Sequence, residues 1–176
     1  PVYLYSFDIA NHIEVNGVKI KTLGINPPEI EVKVKTIGTG SLTVTILDGD
    51  KKIAIKSKKA TDETAIALKL EDAKLWDVDN PKLYTCKVEF NKDIVYEKFG
   101  IRQVSWNDEG FKINGKNVLI KGACIHHDNG PLGAISDEFA DRRRVKILKG
   151  AGYNALRSAH NPCSKSLLNA CDELGM

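Results

Sequence analysis

No apolar run in this chain approaches the roughly 20 residues needed to cross a bilayer, and no secretory leader can be found, although a trimmed chain would not carry one. The expectation is a cytoplasmic protein with no membrane partner. Cysteine is sparse: Cys86, Cys124, Cys163 and Cys171 show no CxxC spacing, and each stands among apolar or strand-forming neighbours. They read as reduced core thiols, Cys124 among them, which fits a reducing compartment. The glycines never fall in the GxGxxG or GxxxxGKS order that cradles phosphates, so no cofactor is called for. Charge of a single sign is missing too. The 26 basic and 23 acidic residues leave a net +3, and the one dense basic run, Arg142, Arg143 and Arg144, accompanies Asp137, Glu138 and Asp141 in a helical stretch. That pattern describes a solvated helix face and gives no reason to expect nucleic acid as a partner.

What is present divides into two halves with different hydrophobic periods. Over residues 1–103 the period is two: Ile30, Val32 and Val34 alternate with Glu31, Lys33 and Lys35, and Tyr84, Cys86, Val88 and Phe90 alternate with Thr85, Lys87 and Glu89. Further strands are expected at residues 2–7, 18–23, 42–47, 52–56, 65–70 and 94–101. Turn signals separate them, including Asn16-Gly17, Asn26-Pro27-Pro28 and Asp48-Gly49-Asp50. Seven or eight short strands with no helix between them predict an antiparallel, immunoglobulin-like β-sandwich, without the Cys and Trp spacing of antibody domains.

From residue 104 to 176 the pattern changes. A hairpin is expected around Asn114-Gly115, then a strand over 118–125 buried on both faces, then a helix capped by Ser136 or Asp137 with Phe139, Val145 and Leu148 on its inner side. A second buried strand over 153–157 and a helix capped by Ser164, with Leu167, Leu168, Cys171 and Leu174 at helical spacing, complete the chain. Strand, helix, strand, helix is the order of parallel βα units. Two such units are the opening of a TIM (β/α)8 barrel, which takes about 250 residues in full. An open parallel edge is expected to be strained, partly ordered or supported by an oligomer.

Each buried strand ends in a polar cluster: His126, His127 and Asp128 after the first, Arg157, Ser158, His160 and Asn161 after the second. Both sets belong to the carboxyl-end face on which βα enzymes build their sites. Arginine offers a fixed fork of donors, while imidazole and amide groups donate and accept, a combination suited to a polyhydroxylated ligand. The alternative stays open that Arg157 is a structural ion-pair partner and the histidines ordinary loop residues. A zinc site is disfavoured, because adjacent His126 and His127 in extended chain point to opposite sides and no HxxxH or CxxC spacing is present. Nothing marks Cys124 or Cys163 as an activated nucleophile, and Trp76 and Trp106 read as core rather than as sugar platforms.

NALRSAHNP, residues 154–162, followed by LLNACDELGM, resembles the N-x-x-R-x-x-H-x-P signature of glycoside hydrolase family 2 with its downstream aspartate and glycine. FKINGKNVLIKGACIHHDNGPLGA is similar to the family's first barrel strand. LWDVDNPKLYTCKVEF and FGIR resemble the end of its immunoglobulin-like domain, and PVYLYSF the exit from its amino-terminal jelly roll. The resemblance covers the whole chain but only part of the family architecture. It implies a retaining glycosidase with two catalytic glutamates on later barrel strands, so that no residue here is catalytic and the fragment is inactive. It also implies that His126, Asp128, His160 and Asn161 hydrogen-bond the sugar at the cleavage point, Asn161 standing where most members have tyrosine. Arg157 matches the arginine that orients the nucleophilic glutamate and keeps it ionised. HHDNGPLGA is most similar to β-galactosidase-type members, so terminal β-D-galactosides are the expected substrate. β-Glucuronidase, β-mannosidase and a non-catalytic sandwich binding module remain alternatives. The expected partners are a β-galactoside-type carbohydrate and, compatibly, further copies of the chain.

Overall fold

The computed structural model describes residues 4–176, which fall into two compact units. One comprises the chain up to Leu75 together with Leu83–Gln103; the other comprises Trp76–Lys82 and Val104–Met176.

The first unit is a sandwich of seven antiparallel strands: β1 (His12–Ile25), β2 (Pro28–Ile37), β3 (Ser41–Asp48), β4 (Lys51–Lys59), β5 (Glu63–Lys69), β6 (Tyr84–Phe90) and β7 (Asp93–Phe99). One sheet has the order β1-β2-β5 and the other β4-β3-β6-β7. The alternation in the sequence is realised directly. Ile30, Val32 and Val34 of β2, Leu42, Val44 and Ile46 of β3, and Cys86, Val88 and Phe90 of β6 form a buried core, while the residues between them turn outward. Fully burying a side chain of this kind contributes about 1.5–3 kcal/mol, enough to fix the strand registers. Lys56 and Lys58 of β4 donate to the carbonyls of Ala67 and Ala65 on β5, at 3.0 and 3.3 Å, occupying backbone acceptors that would otherwise offer a template for further pairing.

Two expectations fail in this unit. Asn16-Gly17 does not separate strands; it makes an irregularity inside β1, with Asn16 at φ 56° and the register shifting between Ile13 and Val18. A side chain at Gly17 would stand 2.7 Å from the Glu14 carbonyl, so the close backbone approach of a bulge, rather than a turn, explains this glycine. Of the strand expected at 2–7, residues 4–7 are described and carry no strand, while the remainder lies outside the described residues.

In the second unit β8 (Val104–Asn107), β9 (Gly110–Ile113) and β10 (Lys116–Asn117) form an antiparallel meander. Asn114 and Gly115 take positive φ at its tight turn, as Asn-Gly hairpins require. β11 (Gly122–Ile125) and β12 (Ala155–Ser158) pair in parallel with Cys124 opposite Arg157. Helix α1 (Glu138–Gly150) connects them and α2 (Lys165–Leu174) follows. Asp137 caps α1 by accepting from the Ala140 N–H, and Ser164 caps α2 by accepting from that of Leu167. Ile125, Val145, Leu167 and Ala170 form the core between this sheet and its helices.

The segment Trp76–Lys82, which leaves the sandwich between β5 and β6, completes this second unit. The buried Trp76 donates through its indole N–H to the Asp172 carbonyl at 2.7 Å, and the Asn114 amide donates to the Trp76 carbonyl at 3.0 Å. Lys149 donates to the carbonyls of both Val78 and Gly175 at 2.6 Å. Gly175 ends α2 in the left-handed conformation, φ 75°, and a Cβ there would lie 2.2 Å from the Val78 oxygen.

Several burial expectations are corrected here. Residues 118–121 are not strand, and Leu119 and Ile120 are exposed; β11 is covered on its helix face only, so Cys124, expected in the core, is exposed on the other face. Phe139 is 82% exposed and Leu168 53% exposed, because the inner stripe of α1 runs through Asp141 and Val145 and that of α2 through Leu167 and Ala170. Trp106, at 78% exposed, is not core.

Candidate functional site

The carboxyl ends of β11 and β12 lie side by side, and the parallel ladder continues one bond further, from the Ala159 N–H to the Ile125 carbonyl at 2.9 Å. This extension brings the two polar clusters together. The rings of His126 and His160 meet edge to face with centroids 5.6 Å apart. Arg157 stands exposed on the face of the sheet that carries Cys124, its Nη1 donating to Cys124 Sγ at 3.5 Å. The signature's leading Asn154 fastens the two strands at their other end. Its Oδ1 accepts from the Lys121 N–H at 2.8 Å and its Nδ2 donates to the Leu119 carbonyl at 2.9 Å.

Asp128 and Asn161 sit in the loops beyond. Asp128 Oδ1 accepts from the Gly130 N–H at 2.9 Å, and its own N–H donates to the His126 carbonyl, so the carboxylate stiffens the turn that bears it. The Asn161 carbonyl accepts from the Ser158 hydroxyl at 2.6 Å, and a cis peptide joins Ala159 to His160. His126, Asp128, Arg157, His160 and Asn161 are all exposed. They form an open wall rather than a closed pocket. Behind them lies a cavity of about 10 Å³ bordered by Ile125, Asn129, Asp141, Arg144 and Ser164, room for a single water and far below the size of a sugar. No group of three or more His, Cys, Asp or Glu among the described residues is arranged to hold a metal ion.

Sequence reasoning passed over the residues behind the wall. Asp141 is buried, and its Oδ2 accepts from Ser136 at 3.0 Å, from Ser164 at 2.9 Å and from Ser166. Burial pushes its carboxyl upward, but the hydrogen bonds of Ser166, Ser164, Ser136 and Asn129 outweigh that and hold it below the usual carboxylate range. Arg144, expected on a solvated face, instead donates to the His126 carbonyl at 2.7 Å and to Asn129 Oδ1 at 3.0 Å. The available signal was Asp141 itself, a carboxylate on the same helical stripe as Val145 and Leu148.

Comparison with known proteins gives one family for both units. Residues 11–102 match Glycosyl hydrolases family 2, and residues 104–176 match the TIM barrel domain of the same family. A putative β-glucuronidase of Formosa agariphila is 34% identical over 94% of this chain, and a β-galactosidase of Bacteroides ovatus is 40% identical over 61% of it. The chain spans only 17% and 13% of the length of these two relatives. Among solved structures, a family 2 glycosyl hydrolase from Bacteroides cellulosilyticus superposes with a TM-score of 0.89 at 36% identity, over 95% of this chain and 24% of that one. The β-glucuronidase of Parabacteroides merdae superposes with a TM-score of 0.82 at 27% identity, over 93% of this chain and 23% of that one. With both units matched in order, an immunoglobulin-like sandwich and the start of a TIM barrel, the chain belongs to glycoside hydrolase family 2.

Proposed function

We propose that this chain is a segment of a retaining β-glycosidase that hydrolyses terminal non-reducing β-D-galactosides, and that it contributes one wall of the sugar site without the catalytic carboxylates. The observation that carries this reading is the meeting of His126 and His160 at the carboxyl ends of two parallel strands, with Arg157 open on the same sheet. Imidazoles in that position donate to and accept from sugar hydroxyls, and Asp128 and Asn161 extend the same polar surface from the adjoining loops. Arg157 holds and orients a carboxylate supplied by a part of the protein outside this chain, and a fixed cation beside that carboxylate keeps it ionised and nucleophilic. A second carboxyl group, about 5 Å away, completes the pair that a double-displacement mechanism requires. Neither comes from this segment, so the 176-residue chain alone is inactive.

The competing sugar is a β-glucuronide, favoured by the names of the Formosa and Parabacteroides relatives. Assaying the chain and a longer protein with a completed barrel on chromogenic β-galactoside and β-glucuronide separates the readings. Turnover of the galactoside by the longer protein alone supports the proposal, preference for the glucuronide replaces the sugar, and hydrolysis of neither sinks the glycosidase reading.

A further inference from the structure

We infer that Asp141 and Arg144 of α1 are positioning residues that set the two loops of the wall in register, an inference that rests on reading those loops as a sugar-binding surface. One turn of helix reaches both. Arg144 holds the first loop through the backbone carbonyl of His126 and the side chain of Asn129, at 2.7 and 3.0 Å. Asp141 holds the second through Ser164, at 2.9 Å, four residues after His160 and at the cap of α2. The two side chains face each other at 3.9 Å, with Asp141 buried and Arg144 largely covered. Ser136 and Ser166 close the network, bonding to each other at 2.8 Å as well as to the Asp141 carboxylate.

The physical logic is that of a buried charge turned into a fixed point. A carboxylate taken out of water must be surrounded by donors, and here three serine hydroxyls supply them while the nearby guanidinium balances its charge. Because those donors belong to segments flanking different strands, satisfying Asp141 also fixes where the strand-end loops lie. Arg144 converts that anchor into a hold on His126 itself, the residue whose ring meets His160. A planar fork reaches a carbonyl and an amide oxygen from two fixed nitrogens, Nη2 and Nη1; an ammonium presents its donors from a single nitrogen, so both oxygens would have to move to one point.

The test uses two readouts. In the 176-residue chain with labelled histidine, Arg144→Met abolishes the nuclear Overhauser cross-peak between the His126 and His160 rings, whereas Arg143→Met, at the exposed neighbouring position, preserves it. Should Arg144→Met fail to fold, Arg144→Lys keeps a cation beside Asp141 and is expected to weaken the same cross-peak. A full-strength peak in Arg144→Lys, or in a folded Arg144→Met, overturns the inference. In the longer enzyme, Arg144→Met lowers kcat/KM for the preferred chromogenic glycoside by about 10²-fold, the scale of a misplacement of about 1 Å. A fall in melting temperature with kcat/KM no lower than in Arg143→Met would make the pair structural only and would equally overturn it. If the unsubstituted longer enzyme hydrolyses neither sugar, the glycosidase reading fails while the cross-peak still decides the positioning.

Discussion

Truncating a small side chain of α1 will damage the second unit more than deleting a large one. Val145 is completely buried in the core formed with Ile125, Leu167 and Ala170, whereas Phe139, earlier in the same helix, is 82% exposed. Val145→Ala removes two methyl groups, worth about 1.6 kcal/mol at roughly 0.8 kcal/mol each. An unrelaxed cavity at about 24 cal/mol per Å³ adds about 1 kcal/mol, for a total of 2–3 kcal/mol. Phe139→Ala removes far more carbon from a position that water already reaches, and is expected to stay within about 0.5 kcal/mol. Each 1.4 kcal/mol is tenfold in an equilibrium constant, so Val145→Ala should raise the local opening constant by roughly 30- to 150-fold. Hydrogen exchange followed by mass spectrometry on peptides covering α1 and α2 reads this directly. Unchanged exchange in Val145→Ala, or acceleration by Phe139→Ala as large as that by Val145→Ala, would refute the assignment of the inner face.

Alkylation of the native chain should reach Cys124 first and Cys86 last, since Cys124 is exposed while burial, with Glu97 nearby, pushes the Cys86 thiol up to about 12; equal labelling at neutral pH by mass spectrometry would contradict this. Gly152→Ala and Gly175→Ala both force a side chain into positive φ, at about 1–2 kcal/mol, but only at Gly175 does the new Cβ meet a carbonyl. Gly175→Ala should therefore lower the urea midpoint further, and equal losses would remove the Val78 contact from the account. The depressed Asp141 carboxyl contributes stability that is complete above the ordinary carboxylate value of about 4 and is lost as pH falls through its lower folded value. The stability advantage of the wild type over Asp141→Asn should accordingly be constant from neutral pH to about 5 and shrink below 4; an advantage that does not change between pH 7 and 3 would be inconsistent with an ionised hub.

The sandwich was readable because its information is local. A period of two commits each residue to one face, and in Ile30, Val32, Val34 and Cys86, Val88, Phe90 the buried and outward positions fall where alternation puts them. The errors came where one local signal serves two geometries. Asn-Gly makes the hairpin at Asn114 and the irregularity within β1 at Asn16, both with the asparagine at positive φ. Only the partner strand distinguishes them, since a bulge needs a continuous neighbour on one side, which β2 supplies. Burial on the second face of β11 was misjudged for a related reason. An apolar run states what a residue tolerates, and whether anything covers Leu119 or Cys124 depends on chain that is not adjacent in sequence.

The site divides along the same line. That His126, Asp128, His160 and Asn161 lie beyond the carboxyl ends of β11 and β12 was legible because a polar cluster directly after a strand can only sit there, whereas Arg157 stands inside β12, opposite Cys124. Arg144 carries no such constraint. In a run of three arginines sequence does not distinguish which one faces inward, and helical period alone gives the interior stripe to whichever residues are apolar. Asp141 breaks that tie. A carboxylate one turn before Val145 on the buried stripe requires donors, and those nearest along the helix and at its two flanks are Arg144, Ser136 and the serines that open α2. The residue that looks misplaced in the pattern is thus the one from which the support of the site can be reconstructed: a charge survives burial only where the surrounding chain is held to it, and here the chain it holds bears His126 on one side and His160 on the other.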